Sequence, residues 1–160
     1  MAKIIDKRMC AEIDGEFVVF LIGARINKPW KVWKWFPVAL AMPRMLAELA
    51  RRPELGLLHA RNMFSFPDTM VIQYWRSFEH LEAYAKNRDL AHLPAWQGFN
   101  RAVGSNGDVG IWHETYRIEP GRYETIYNNM PPFGLGMAGT LVDAIGARQE
   151  ARQRMKAKAA

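Results

Sequence analysis

An α+β fold built on one antiparallel sheet is predicted by three features of the sequence. Strand-like and helix-like stretches alternate in a set order, a turn-type Pro67-Asp68 dipeptide joins two adjacent strand-like runs, and the first strand is apolar on both faces.

The first strong element is EFVVFLIGARI, Glu16 to Ile26, an unbroken β-branched and aromatic run that reads as a strand covered on both sides. Residues 1–15 alternate charged with apolar side chains, lack the apolar core and cleavage site of a secretory leader, and are expected to form an N-terminal extension. After the strand, Trp33, Val38, Leu46 and Leu49 follow a helical period, with Pro37 and Pro43 expected to kink the helix or start a new segment. The helix ends before Pro53 and Gly56. Leu57 to Phe66 and Thr69 to Ser77 read as a hairpin. Ser77 is a suitable N-cap for a helix whose stripe is Phe78, Leu81, Tyr84 and Ala85, and HLPAWQGFNRAV reads as a further short helix. Asn106-Gly107 makes a turn into a strand from Asp108 to Glu119, and Pro120-Gly121 precedes a fifth strand ending at Met130. A Pro-Pro-Phe and glycine-rich loop then leads to an amphipathic helix expected from about Thr140.

This order, β-α-β-β-α-β with an additional strand and helix, is the ferredoxin-like plan. The sequence therefore divides into an extension (1–15), a ferredoxin-like domain (16–137) and a C-terminal helix with a basic tail (138–160). In the first strand Phe17, Val19 and Leu21 share one face and Val18, Phe20 and Ile22 the other. The domain's own helices cover one of them. A second copy of the chain is the expected cover for the other, closing two sheets into a homodimeric α+β barrel.

Composition limits the function classes. A chain of 160 residues, 49% hydrophobic and 24% charged, is long enough for one domain with a real core. Cys10 is the single cysteine and cannot form an internal disulfide, and no uncharged apolar run reaches membrane-spanning length, so a cytoplasmic protein is expected. Of the net charge of +6, the last residues supply +4, from Arg148, Arg152, Arg154, Lys156 and Lys158 against Glu150. The body is nearly neutral, the tail reads as a solvated helix end, and no nucleic-acid partner is expected.

Several motifs invite chemistry. GLGMAG (Gly134 to Gly139) has the spacing of a pyrophosphate-binding loop, but no second parallel strand follows to carry a ribose-binding acid, so these read as loop glycines beside a pocket. HETYR begins like a zinc-protease motif and has Arg117 where the second histidine belongs. Strand period places His113 with Val109, Ile111 and Thr115, which suits either a buried hydrogen-bonded imidazole or an axial ligand to haem iron. In KPWKVWKWF, Lys28, Lys31 and Lys34 interleave with Trp30, Trp33 and Trp35, a pattern that fits a membrane interface, a nucleic-acid stack or the mouth of a pocket.

Taken together, EFVVFLIGARINKPWKVWKWFPV, PRMLAEL, LGLL, VIQYWRSFEHLEAYA, HLPAWQGFN, DVGIWHETYRI and YETIYNNMP resemble a monooxygenase-like family related to a fumagillin-pathway monooxygenase, over Glu16 to Gly136. The resemblance implies a dimeric α+β barrel and an oxidoreductase, most simply a monooxygenase acting on a small apolar organic substrate. A second segment, WHETYRI…YETIYNNMPPFGLG, is similar to the C-terminal part of haem-containing aldoxime dehydratases. That likeness implies that His113 holds haem iron. It also places Met130 on the distal side, where those enzymes have a catalytic histidine, which argues against their acid-base route. In a haem protein, Asn128 would hydrogen-bond substrate or oxygen, and Arg25 and Lys28 would pair with the propionates. In a cofactor-free monooxygenase, Tyr74, Trp75 and Asn128 would position the substrate. The non-catalytic alternative is a haem- or lipid-binding module resting on a membrane surface.

Overall fold

The computed structural model describes residues 2–156. Along the chain they form β1 (Ile5–Glu12), β2 (Phe17–Ile26), α1 (Val32–Arg51), β3 (Leu57–Ser65), β4 (Asp68–Trp75), α2 (Phe78–Lys86), α3 (His92–Ala102), β5 (Val109–Ile118), β6 (Tyr127–Met130), α4 (Leu135–Ala138), β7 (Thr140–Asp143) and α5 (Ala151–Lys156). The larger sheet has the order β3-β4-β2-β5, antiparallel throughout. Its first strand in the chain, β2, lies between the third and the fourth, so the fold is ferredoxin-like as expected.

Strand alternation divides the two faces of this sheet. On the helix face, Val18 and Trp75 pack with Met45 and Leu49 of α1, Leu81 and Tyr84 of α2, and Leu90. Each such buried side chain contributes about 1.5–3 kcal/mol of transfer free energy. The carboxylate of Glu48 in α1 accepts from the Tyr84 hydroxyl (2.9 Å) and the Ala91 amide (3.0 Å), fastening the three helices together. Burial, followed by this hydrogen bond, pushes the Tyr84 phenol well above its ordinary pKa. Ser77 caps α2 as expected, its Oγ accepting from the His80 amide.

Helix α1 runs unbroken through Pro37 and Pro43. Both rings are exposed, so the carbonyls deprived of an intrahelical partner lie on the solvent side, where water satisfies them.

The second face is partly covered by the chain itself. A smaller sheet of order β6-β1-β7 and the short α4 lay Ala11, Tyr127, Leu135, Ala138 and Leu141 over Phe17, Val19, Tyr74 and Ile118. Residues 5–12, in the expected N-terminal extension, form the central strand of this sheet, with Cys10 and Ala11 fully buried. Thr140–Asp143 is strand β7 paired with β1, where a helix was expected.

The basic tail is also less solvated than its composition suggests. Arg148 grips Glu12 (2.6 Å), and Arg154, 4% exposed, donates to Glu124 (2.7 Å) and to the carbonyls of Arg148 and Gln149. These two arginines fasten the segment 148–154 to β1 and to the loop before β6, and Lys158 lies outside the described residues. Among the described residues, no helix is long and apolar enough to cross a membrane.

Candidate functional site

The register of the larger sheet places Arg25, Tyr74, Trp75 and His113. Across the helix face, Asn62, Val71, Ile22 and His113 form one row, and Ala60, Gln73, Phe20 and Thr115 the next. His113 therefore occupies the outer end of a row on the edge strand. Its side chain is exposed, with the Phe20 ring 5.5 Å away between centroids. Trp75 lies on the same face but deep in the core, 1% exposed, its indole N–H donated to Gln73 Oε1 at 2.8 Å. It is a packing residue and has no surface to offer a substrate within this chain.

On the opposite face the rows are Met63–Met70–Gly23–Trp112, then Arg61–Ile72–Leu21–Glu114, then His59–Tyr74–Val19–Tyr116. The last row runs under the smaller sheet. His59 and Tyr74 stack with centroids 6.5 Å apart at 22°, and Nε2 of His59 is shielded from solvent with no hydrogen-bond partner among the described residues. Desolvation first, and the nearby Arg61 cation second, hold the imidazole below its ordinary pKa, so it is neutral near pH 7. Burial likewise raises the phenols of Tyr74 and Tyr127.

The glycine loop closes this cluster from above. Gly134 has φ of +54°, and a Cβ there would lie 3.1 Å from the Tyr74 hydroxyl. The backbone of Leu135 hydrogen-bonds Tyr74, and the Gly136 amide donates to the Tyr127 hydroxyl at 3.2 Å. Arg61 stacks over the Phe133 ring at 4.1 Å, holding the front of the loop against β3. The G-x-G spacing thus lets two consecutive amides meet two tyrosine oxygens. An open groove of about 470 Å³ adjoins the end of the loop, lined by Leu58, Arg76, Ala138, Gly139 and the acidic β1–β2 turn.

The residues expected around a haem do not converge within the chain. His113 faces the helices, whereas β6, which carries Asn128 and Met130, belongs to the sheet covering the other face. Met130 therefore does not lie across a pocket from His113. Asn128 and Met130 are exposed, and Asn129 between them has φ of +54°, which interrupts the alternation that would have put them on one face. Arg25 lies on the face away from His113, and its Nη1 donates to both carboxylate oxygens of Asp68 (2.8 and 3.0 Å). Lys28, with Lys31, is bound to the buried Asp108, whose carboxyl the two ammonium groups hold below the usual range. Within one chain, these residues do not come together around a haem. Among the described residues, no group of three or more His, Cys, Asp or Glu is arranged to hold a metal ion.

His59 was the residue that sequence reasoning missed. A histidine in LLHARN carries no motif, and its signal is positional: only the hairpin register, shifted by an irregularity between Leu57 and His59, brings it opposite Tyr74.

The fold and this cluster define a ferredoxin-like α+β protein whose two sheets bring a shielded histidine and two tyrosines together under a glycine loop. The chain belongs to the Monooxygenase af470-like family, whose profile matches residues 17–135. It is 30% identical over 157 residues to Monooxygenase af470 of Aspergillus fumigatus, covering 85% of this chain and 55% of that protein, so it spans about half the length of that relative. Among solved structures it is similar to SnoaB of Streptomyces nogalater, a cofactor-independent oxygenase (12% identity, TM-score 0.46, covering 63% of this chain and 91% of that one). It is also similar to a dimeric ferredoxin-like protein of unknown function from Jannaschia (18% identity, TM-score 0.43, covering 61% and 97%). At TM-scores of 0.46 and 0.43 neither likeness carries weight for the activity or assembly of this chain.

Proposed function

We propose that the chain is a monooxygenase in which a small apolar organic substrate enters under the Gly134 loop and meets His59 and Tyr74. Family membership supports the reaction class. The observation that carries the site is the shielded, unpartnered Nε2 of a histidine kept neutral and stacked on the Tyr74 ring. Leaving such an atom unsatisfied costs about 1–3 kcal/mol, a cost that a hydrogen bond to a ligand would offset.

A neutral imidazole in an apolar setting is suited to removing an acidic C–H proton. The carbanion then supplies electrons to dioxygen. A C–O bond forms, the proton held at His59 returns to the terminal oxygen, and a substrate hydroperoxide results. Loss of water breaks the O–O bond and the second C–H bond. In balance, a substrate methylene group and one dioxygen give a carbonyl group and one water, with the substrate as the sole reductant. Tyr74 hydrogen-bonds the developing enolate oxygen, and the loop excludes water from the carbanion.

The uncovered part of the second face supports a homodimer. Its row Met63–Met70–Gly23–Trp112 is apolar and ends in an indole laid across Gly23, where a Cβ would collide with the ring. Trp112 and Tyr116 remain 38% and 47% exposed, a face suited to a second copy.

Oxygen uptake with a panel of enolisable ketones and phenols, including 2-tetralone, tests the reading. Protein-dependent uptake that Tyr74→Phe slows by roughly 10-fold or more, as expected for one lost oxyanion donor, supports it. Uptake equal in Tyr74→Phe and the parent protein would remove Tyr74 from the site.

A further inference from the structure

One end of the domain gathers exposed aromatic side chains from two separate elements. Trp30 (68% exposed) and Trp33 (67%) stand where the chain leaves β2 and enters α1, and Phe64 (75%) and Phe66 (61%) stand at the tip of the β3–β4 hairpin. Backbone and side-chain bonds tie these segments to one end. The Ile26 amide donates to Pro67 O at 3.0 Å, and Arg25 pairs with Asp68. The amides of Asn27 and Lys28 donate to Asp108 O, and Lys34 Nζ donates to Ala102 O.

The charge of this end is uniform in sign. Segments 25–34, 62–69 and 101–110 carry Arg25, Lys28, Lys31, Lys34 and Arg101 against Asp68 and Asp108, five cations less two anions, or +3. Asp108 is buried beneath Lys28 and Lys31, so the groups presented outward are mainly ammonium and guanidinium. Tryptophan and phenylalanine at protruding tips, ringed by lysine, suit the boundary between lipid headgroups and acyl chains, where the rings lose contact with water and the cations meet phosphate. A second copy of the chain fits this end poorly, since a two-fold contact would set one +3 surface against another.

We propose that this end of the domain docks on an anionic phospholipid surface, with Trp30, Trp33, Phe64 and Phe66 inserted to headgroup depth. The inference rests on this surface alone and is independent of the reaction assigned to His59.

The test is co-sedimentation of the full chain with phosphatidylcholine vesicles containing about one-third phosphatidylserine, read together with tryptophan emission. The expected result is binding with a blue shift, weakened by roughly ten-fold or more in pure phosphatidylcholine and in about 0.5 M salt. Trp30→Ser/Trp33→Ser/Phe66→Ser is expected to lower the partition coefficient by roughly ten-fold or more without moving the thermal unfolding midpoint. Ile145→Ser, an exposed apolar side chain between β7 and α5, outside these segments, is expected to leave it unchanged. If the triple variant does not fold, Phe64→Ser/Phe66→Ser tests the hairpin tip alone. Protein left in the supernatant with the anionic vesicles would overturn the proposal. So would binding of the aromatic variants equal to the parent, or a loss of self-association in them instead of a loss of lipid binding.

Discussion

Nε2 of His59 is closed off from solvent beside the ring of Tyr74, which stacks on the imidazole at a centroid distance of 6.5 Å. Because burial lowers the folded-state pKa of His59 below its unfolded value, the unfolded chain binds the extra proton between the two. The stability this group contributes is present above the unfolded pKa of about 6.5 and declines as pH falls from there towards the folded pKa. Urea unfolding between about pH 7.5 and 5 is expected to show that decline, and His59→Gln is expected to flatten it. An equal slope in the variant would place the titration elsewhere.

The loop above the pair depends on Gly134. Its φ of +54° with ψ of −123° is a conformation that L side chains rarely adopt, and an added methyl would press on the Tyr74 hydroxyl. Gly134→Ala is expected to cost about 1–3 kcal/mol in chemical unfolding. It should also bring the Tyr74 phenol back towards its ordinary pKa in an ultraviolet titration. Unchanged stability would mean that the loop does not seat on Tyr74.

Arg154 ties α5 to the loop before β6. Arg154→Met leaves the Glu124 carboxylate and two carbonyls without their donor, and a loss of about 3 kcal/mol is expected, the scale for breaking a buried ion pair. Arg152→Met, at an exposed position on the same helix, is expected to fall within about 0.5 kcal/mol of the parent.

Trp112 carries the dimer reading. Trp112→Arg is expected to convert a dimer into a monomer by light scattering after gel filtration, since it sets a charge into an apolar row. A parent protein that is monomeric at micromolar concentration would contradict the assignment of that face.

The main sheet and its helices were legible because each signal is local: the β2 run, the Pro67-Asp68 turn and the Ser77 cap are read within a few residues. The smaller sheet was not. β1 contains Asp6, Lys7 and Arg8, and β7 is four residues long; both are strands through pairing across the length of the chain, β1 with β6 and β7 together. The same limit applied to the site. Tyr74 was visible as a candidate for positioning the substrate, whereas His59, Tyr127 and the Leu135 and Gly136 amides come together only through register and the return of the C-terminal segment. His113 stood out through its neighbours in sequence, yet its row ends at an open sheet edge.

The central claim, that His59 starts an oxygen insertion whose electrons come from the substrate, is tested most directly with isotopically heavy dioxygen. The protein is incubated under that gas with 2-tetralone and the other enolisable ketones of the panel, and the products are analysed by mass spectrometry against His59→Gln. One heavy oxygen atom per product, formed at a rate that His59→Gln lowers by roughly 100-fold or more, is the predicted result, the scale of a lost general base. Label incorporated as fast by His59→Gln as by the parent protein, or incorporated by neither, would contradict it.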